Sequence, residues 1–264
     1  MQGLILYCRQ DYNKNKDFVD WIRDEFKAFQ TEMTLLLKEE LYRTGIDFSQ
    51  YSFAINRTRD YNLSLKLELN RIRVYNSSEV TLLGNNKLAG YAYAQKQGYA
   101  YAPVLLPSSV CLPPKVLAKP VNGHGGEGVR LIHSAEEWKA DEIQQVLVED
   151  VIGDIRFYII QNQIHSAVLR KAEQGRVTSN YSRGGKIEKY HYNAEEATFV
   201  KRFIDGLKID YAGLDFLLTR QGELIFNELE DVVGSRMLSK LGINDTIPFL
   251  VRNIVKEMKN RHIV

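Results

Sequence analysis

Lys119-Pro120-Val121-Asn122-Gly123-His124-Gly125-Gly126-Glu127-Gly128-Val129 reads as a strand ending on a lysine, a loop with four glycines and the start of a second strand. Glycine leaves no Cβ between a backbone N–H and an anion, and lysine supplies a point charge for phosphate. The lysine precedes the glycines and a strand follows them. A Walker loop has the opposite order and opens a helix, so it is excluded. Taken alone, the stretch is either a mobile surface hairpin or a phosphate cradle.

Outward from that loop the chain reads as short strands. Residues 116–119 and 129–132 flank it, and 146–149, 155–161 and 163–171 follow. The last two meet at Gln161-Asn162-Gln163, a turn tight enough to imply antiparallel pairing. Phe199, Phe203 and Leu207 recur at four-residue steps and predict a helix over 195–207. Strands 213–219 and 223–229 flank Arg220-Gln221-Gly222 as a hairpin, and 245–259 is an amphipathic helix. Upstream, 85–98 reads as a helix closed by Gly98, and Pro103, Pro107, Pro113 and Pro114 punctuate the stretch after it. Residues 1–84 alternate short apolar strands (3–8, 33–37, 52–56, 73–75) with helices marked by Phe18, Ile22, Phe26 and Phe29, then by Leu63 and Leu67. That alternation predicts a small open α/β domain with a parallel sheet. The chain is therefore an α/β protein with an expected division into 1–84 and 85–264.

The C-terminal hairpin carries carboxylates: Asp215 in Ala212-Gly213-Leu214-Asp215-Phe216-Leu217, and Glu228 and Glu230 in Ile225-Phe226-Asn227-Glu228-Leu229-Glu230. Residues two apart on a strand share a face, so Glu228 and Glu230 point the same way, and antiparallel pairing can bring Asp215 opposite them. Three carboxylates repel one another unless a cation sits between them, and oxygen-only ligation suits Mg²⁺. An exposed acidic sheet face is the plain alternative. A basic group accompanies them: Arg156, Arg170, Lys171, and Arg183 in Ser179-Asn180-Tyr181-Ser182-Arg183-Gly184-Gly185. Solvated arginines on a sheet face compete with a cationic lining for a polyphosphate.

The order Lys87, Lys119 with its glycine loop, Val148-Glu149-Asp150-Val151, Gly153-Asp154-Ile155-Arg156, Ser179-Asn180, Arg183-Gly184-Gly185, Asp215, then Asn227-Glu228-Leu229-Glu230 resembles the ATP-grasp superfamily. Within it the chain is most similar to carboxylate–amine ligases of the ribosomal-protein glutamate ligase type. The resemblance covers roughly residues 85–264 and implies an ATP-grasp fold with two lobes and a hinge near 149–154, preceded by a pre-ATP-grasp domain. It implies that Lys87 and Lys119 hold the α- and β-phosphates of ATP and that the loop around Gly125 and Gly126 closes over the triphosphate. Glu149, Asp150 and Val151 would meet adenine, Asp154 would lie near the ribose, and Asn180 near the phosphates. Asp215, Glu228 and Glu230 would bind Mg²⁺, with Mn²⁺ as an alternative ion. Arg170 would face the transferred phosphoryl group, and Arg156 and Arg183 would grip an acidic substrate.

The implied activity is amide or peptide bond formation through an acyl phosphate, with ADP and phosphate released. The alternatives are an ATP-grasp enzyme acting on a peptide or protein side chain, and a non-catalytic nucleotide-binding module. Two departures from the family pattern stand out. Glu230 occupies a position that is commonly asparagine, and Asp231-Val232-Val233-Gly234-Ser235-Arg236 keeps a glycine without the usual proline-containing turn.

Composition bounds the rest. The 264 residues carry 35 Lys+Arg against 33 Asp+Glu, a formal charge of +2, with 44% hydrophobic and 26% charged residues. This is ordinary globular usage and excludes disordered and collagen-like classes. The near-neutral balance argues against a surface built for a nucleic-acid backbone. Cys8 and Cys111 lie far apart with no metal spacing, as expected of thiols in a reducing compartment. No stretch approaches the ~18 apolar residues of a membrane span. The expectation is a cytoplasmic protein with no nucleic-acid or membrane partner, taking small-molecule or peptide carboxylates and amines, and open to homo-oligomer formation. His124 is expected as an exposed loop residue, the other histidines as structural, and Tyr91, Tyr93, Tyr99 and Tyr101 as packing against the first domain.

Overall fold

The computed structural model describes residues 1–41, 46–106, 113–171 and 185–261. In β1 (Gln2–Tyr7), Leu4 and Leu6 point to one side and Ile5 and Tyr7 to the other, and all four are buried. A strand apolar on both faces belongs in the middle of a covered sheet. After α1 (Arg9–Lys14) and α2 (Lys16–Lys27) come β2 (Glu32–Leu37), β3 (Phe53–Asn56), α3 (Tyr61–Leu69) and β4 (Arg73–Tyr75). The four strands form a sheet in the order β2-β1-β3-β4, every neighbouring pair parallel. On one face Leu4, Leu6, Ala54 and Val74 pack on Leu63 and Leu67 of α3. The other face meets Val19, Ile22 and Phe26 of α2, the three- and four-residue spacing of a single helix stripe. Asp60 starts α3 by accepting hydrogen bonds from the backbone N–H groups of Asn62 and Leu63 at 3.0 and 3.2 Å.

Two helices follow, α4 (Ser78–Asn85) and α5 (Lys87–Lys96), where the sequence pattern predicts one. Asn86 separates them and caps the second, accepting from the backbone N–H of Ala89 at 3.0 Å. Then β5 (Val104–Leu105), β6 (Val116–Pro120), β7 (Arg130–Ile132) and β8 (Glu142–Val146) make a small antiparallel sheet in the order β5-β8-β6-β7. The strand expected over 146–149 runs four residues earlier. Its buried positions include Gln144 and Gln145, polar residues that show no strand pattern in the sequence, and the Gln145 amide donates to Ala102 O at 2.8 Å.

A larger antiparallel sheet combines β9 (Val151–Ile160), β10 (Gln163–Lys171), β11 (Lys186–Lys189) and, after α6 (Ala194–Ile204), β12 (Tyr211–Thr219) and β13 (Leu224–Glu230), in the order β11-β10-β9-β12-β13. Gln161 and Asn162 turn between β9 and β10 with φ of 51° and 55°, the left-handed pair a two-residue hairpin requires. One face of this sheet packs on α5 and α6 through Ile155, Phe157, Phe216 and Phe226. The tyrosines belong here, not on the first sheet as expected. Tyr91 stacks on Tyr101 with centroids 5.4 Å apart, and Tyr99 meets Phe199 and Phe203 edge-on at 4.6 and 4.9 Å.

The chain closes with α7 (Arg236–Lys240) and α8 (Thr246–Arg261). Leu250, Val251, Ile254, Val255 and Met258 of α8 share one core with Ile5, Phe26 and Phe53. The last helix thus covers the first sheet. Arg73 of β4 adds a polar tie, its Nη2 2.5 Å from Asp210 Oδ1 and its Nε 3.0 Å from Glu257 Oε1. Among the described residues no helix is long and apolar enough to cross a membrane.

Candidate functional site

Alternation along the strands of the large sheet puts Asp154 and Arg156 on one face of β9, Arg170 on β10, and Gly213 and Asp215 on β12. Register then sets opposite charges side by side. Arg170 lies directly across from Asp154, Arg156 from Asp215, Asp215 from Glu228 and Gly213 from Glu230. Arg156 grips Asp215 with two hydrogen bonds, Nε to Oδ1 at 2.8 Å and Nη2 to Oδ2 at 2.7 Å, and its Nη2 also lies 2.5 Å from Glu230 Oε2. Arg170 donates through Nε to Asp154 Oδ2 at 2.6 Å and through Nη2 to Asp215 Oδ2 at 2.5 Å. Such paired, charge-assisted geometry is the strongest that side chains offer. Burial pushes the Asp215 carboxyl up, but Arg156 and Arg170 outweigh it and hold it below the usual carboxylate range. Asp154 moves the other way, raised by burial and by the charge of Asp215 despite Arg170.

Beside this network lies a cleft lined by Lys87, Lys119, Gly123, His124, Gly126, Asp154, Arg170, Asn227 and Glu228. Lys119 comes from the end of β6 and donates to Gln145 Oε1 at 2.6 Å. Lys87 opens α5. Its backbone N–H bonds Val121 O at 2.9 Å and its ammonium bonds Gly123 O, so the helix start is stitched to the glycine loop. Gly125 and Gly126 take φ of 63° and 70°, a conformation that side-chain-bearing residues adopt at a cost. Removal from water, with Lys87 adding to it, pushes the Lys119 ammonium down to about 8 against the pull of Glu228. Burial raises Glu228 in turn, despite Lys87, and the neighbouring Asp215 and Glu230 add to the shift.

The structure therefore brings Lys87, Lys119, Gly126, Asp154, Arg170 and Glu228 to one cleft, with Arg156, Asp215 and Glu230 behind it. It does not bring Glu149 or Asp150 there. Glu149 is exposed and pairs with Lys115 at 2.6 Å, and Asp150 is an exposed turn residue with φ of 58°. Val151 begins β9 beside Thr219. Any contact from this stretch to a base in the cleft would have to come from its backbone. Asn180 and Arg183 lie outside the described residues.

Of the three carboxylates expected to hold a metal, Asp215 bonds Arg156 and Arg170, Glu230 meets Arg156, and Glu228 has Lys87 Nζ at 3.9 Å. Among the described residues no three His, Cys, Asp or Glu side chains converge as a ligand set. The sequence pattern assigns no role to Gln145 or Asn227. Gln145 carries Lys119 on its amide oxygen, and Asn227 Oδ1 lies 3.5 Å from the same ammonium. His124 is exposed, as expected of a loop residue, yet it lines the cleft.

Four carboxylates (Asp154, Asp215, Glu228, Glu230) thus face four cations (Lys87, Lys119, Arg156, Arg170). The donor set fits a triphosphate, because two ammonium groups and a left-handed glycine loop converge on the cleft while Arg170 lines its wall. For a divalent ion the fit is narrower. Glu228 lines the cleft with its nearest ammonium, Lys87 Nζ, 3.9 Å away, beyond hydrogen-bond reach.

A second cleft, lined mostly by polar side chains, opens where β2 and β3 end, the place where a parallel sheet commonly holds a ligand. Lys38, Arg59, Asp60, Asn62, Asn86 and Asn122 line it. Asn86 and Asn122 precede Lys87 and Gly123 in the chain, so the two clefts share a wall. Arg59 is held by Asp11, and Lys38 Nζ lies 2.9 Å from Asp60 Oδ2.

The family model for the RimK-like ATP-grasp domain matches residues 106–252. An "Uncharacterized protein MG011 homolog" of Mycoplasma pneumoniae is 23% identical over 262 residues, covering 95% of this chain and 90% of that protein. A "Probable alpha-L-glutamate ligase" of Haemophilus influenzae is 30% identical over 135 residues, covering 47% of this chain and 44% of that protein. Among solved structures, the ATP-grasp ligase PsnB, complexed with a phosphomimetic variant of its minimal precursor, Mg and ADP, superposes with a TM-score of 0.71. It is 16% identical, and the match covers 97% of this chain and 98% of that one.

Proposed function

The chain belongs to the RimK-like ATP-grasp family, and on that footing we propose that it is an ATP-dependent carboxylate–amine ligase forming an amide or peptide bond through an acyl phosphate. The observation that carries this reading is the pair of adjoining clefts. One is lined by lysines, the glycine loop and Arg170, and the other by polar side chains at the ends of β2 and β3. The glutamate ligases and PsnB among its relatives agree with the chemistry.

A carboxylate is a poor electrophile because oxide is a poor leaving group. Transfer of the γ-phosphoryl group to it replaces that leaving group with phosphate, which an amine then displaces. Proteins lower such barriers chiefly by positioning and by stabilising charge. Lys87 and Lys119 would hold the phosphates already charged in the ground state. Arg170, fixed by Asp154 and Asp215, would meet charge that shifts towards the acceptor during transfer. Mg²⁺ held at Glu228 would neutralise phosphate oxygens, with Mn²⁺ as its substitute. The loop at Gly125 and Gly126 would cover the triphosphate and keep water from the acyl phosphate.

Incubating the protein with Mg²⁺-ATP and panels of carboxylic acids, free amines and peptides should release ADP and phosphate in step with a new amide. Chromatography and mass spectrometry of the products read this directly. Stoichiometric AMP would replace the acyl phosphate route with adenylation, and nucleotide binding without turnover on any pair would favour the non-catalytic module.

Lys119 supplies a second test. Between about pH 8 and 10.5 the ligand-free folded chain has shed a proton that the unfolded chain keeps, so this group makes the fold gain stability as pH rises through that window. Phosphates near the ammonium restore the proton. Nucleotide binding at about pH 8.5 should then take up protons, seen in calorimetry as a heat that changes with the ionisation enthalpy of the buffer. Identical heats in two such buffers would remove Lys119 from the phosphate site.

A further inference from the structure

Lys119 differs from the other cations around the cleft in what holds it. Arg156 and Arg170 bond to carboxylates, and Lys87 has Glu228 at 3.9 Å. Among the described residues Lys119 makes no ion pair, and the side-chain oxygens its ammonium meets are amides, Gln145 Oε1 at 2.6 Å and Asn227 Oδ1 at 3.5 Å. Gln145 is 2% exposed and pairs across β6 and β8 with Leu117, two residues before Lys119, so the two side chains share a face of the small sheet. Its amide fits only one way round. Nε2 donates to Ala102 O at 2.8 Å, and a carbonyl can only accept, so Oε1 must face Lys119. The Tyr91 hydroxyl lies 3.3 Å from the same oxygen, and its ring is held by Tyr101, stacked at 5.4 Å, and by Phe226, edge-on at 5.9 Å.

We propose that Gln145 is a positioning residue of the nucleotide site: it holds the Lys119 ammonium in place through a neutral oxygen, so that the charge of the lysine stays whole for a phosphate. The proposal rests on reading the lysine-lined cleft as the nucleotide site. A buried ammonium needs acceptors for its hydrogens. A carboxylate would supply one and cancel the charge, as Asp154 and Asp215 do for Arg170. An amide oxygen supplies one and cancels nothing. The grip of Ala102 and Tyr91 on the amide then fixes where Lys119 offers its charge. Gln145 is not among the residues that line the cleft, so it acts through the lysine.

The test is a double-mutant cycle on the full chain, read as the Kd of Mg²⁺-ADP by titration calorimetry. Gln145→Glu sets a carboxylate of the same size against the ammonium and should weaken ADP by about tenfold or more, the worth of one charge-assisted contact. Lys119→Met should weaken it by a similar factor. With Lys119 already replaced, adding Gln145→Glu should change Kd by no more than about twofold, because the group it acts through is gone. Gln145→Met keeps the length without the oxygen and should weaken ADP by about threefold or more, again only while Lys119 is present. This second cycle decides the matter if the buried carboxylate prevents folding. Equal losses with and without Lys119 would overturn the proposal, as would a parental Kd in the Gln145 variants or in Lys119→Met. In each case bound ADP would leave the nucleotide reading standing. A parent chain that binds no ADP would instead remove that reading, and this proposal with it.

Discussion

Arg170→Ala should lower stability by about 3–5 kcal/mol, the usual cost of leaving buried charges without their partner, and turnover by about a hundredfold or more. Its guanidinium is 5% exposed and is held by Asp154 and Asp215, which are 3% and 0% exposed. Removing it strands two carboxylates whose ionised state it supports. For a chain of this size the melting temperature should fall by on the order of 10 °C. On the proposed function, Arg170 also meets charge that moves during phosphoryl transfer, so kcat should drop more than nucleotide affinity. The double variant Asp154→Asn/Arg170→Ala separates the two effects. Neutralising Asp154 removes part of the uncompensated charge, so much of the lost stability should return while turnover stays low. Differential scanning calorimetry beside steady-state kinetics reads both. An unchanged melting temperature in the single variant, or parental turnover in the double variant, would show that the network does neither job.

A comparable loss is expected far from the cleft. Arg73→Ala should destabilise the fold by about 3–5 kcal/mol, and more at pH 8 than at pH 5. Asp210, 1% exposed, loses its ion pair, and Glu257 loses a donor. Burial already pushes the Asp210 carboxyl up to about 6 even with Arg73 beside it. Between the ordinary carboxylate value and that pH the folded state holds a proton the unfolded state has released, so this group makes stability fall as pH rises. Without the arginine the carboxyl moves higher still, and the falling window extends upward through neutral pH. Urea unfolding at the two pH values measures the difference, and adding Asp210→Asn should erase most of it. A loss independent of pH would mean that packing, not the buried charge, explains the effect of Arg73.

Much of the architecture was legible because it is local. The spacing of Phe18, Ile22 and Phe26 marks α2 whatever surrounds it, although Val19 and not Phe18 is the fully buried residue of its first turn, and Gln161-Asn162 allows only a tight turn between apolar strands. β4 was read over its full length. β8 begins earlier than the sequence pattern predicts because Gln144 and Gln145 look like loop residues, and only the fold brings Lys119, Ala102 and Tyr91 to Gln145. The tyrosines are packing residues, as their stripe predicts, but on the large sheet and not the first, since spacing identifies a stripe and not its partner. The same applies to α8. Its amphipathic pattern is plain, yet nothing near it in the chain says that it covers the strand at residues 2–7.

The site divides along the same line. Lys119 and the glycines are neighbours in the chain, and Glu228 and Glu230 share a face by the two-residue period of a strand, so sequence alone determined that a lysine runs into a glycine loop and that the hairpin is acidic on one face. What neutralises the hairpin was decided by tertiary structure. Arg156 meets Asp215 across 59 residues, and Arg170 meets it across 45. Those meetings depend on strand order, on register, and on a glycine at 213 that leaves room for the guanidinium. The physical reason is that periodicity fixes which way a side chain points relative to its own backbone. The charge it faces is set by which distant strand hydrogen-bonds beside it, and a one-residue slip in that pairing would have turned each arginine to the opposite face of the sheet.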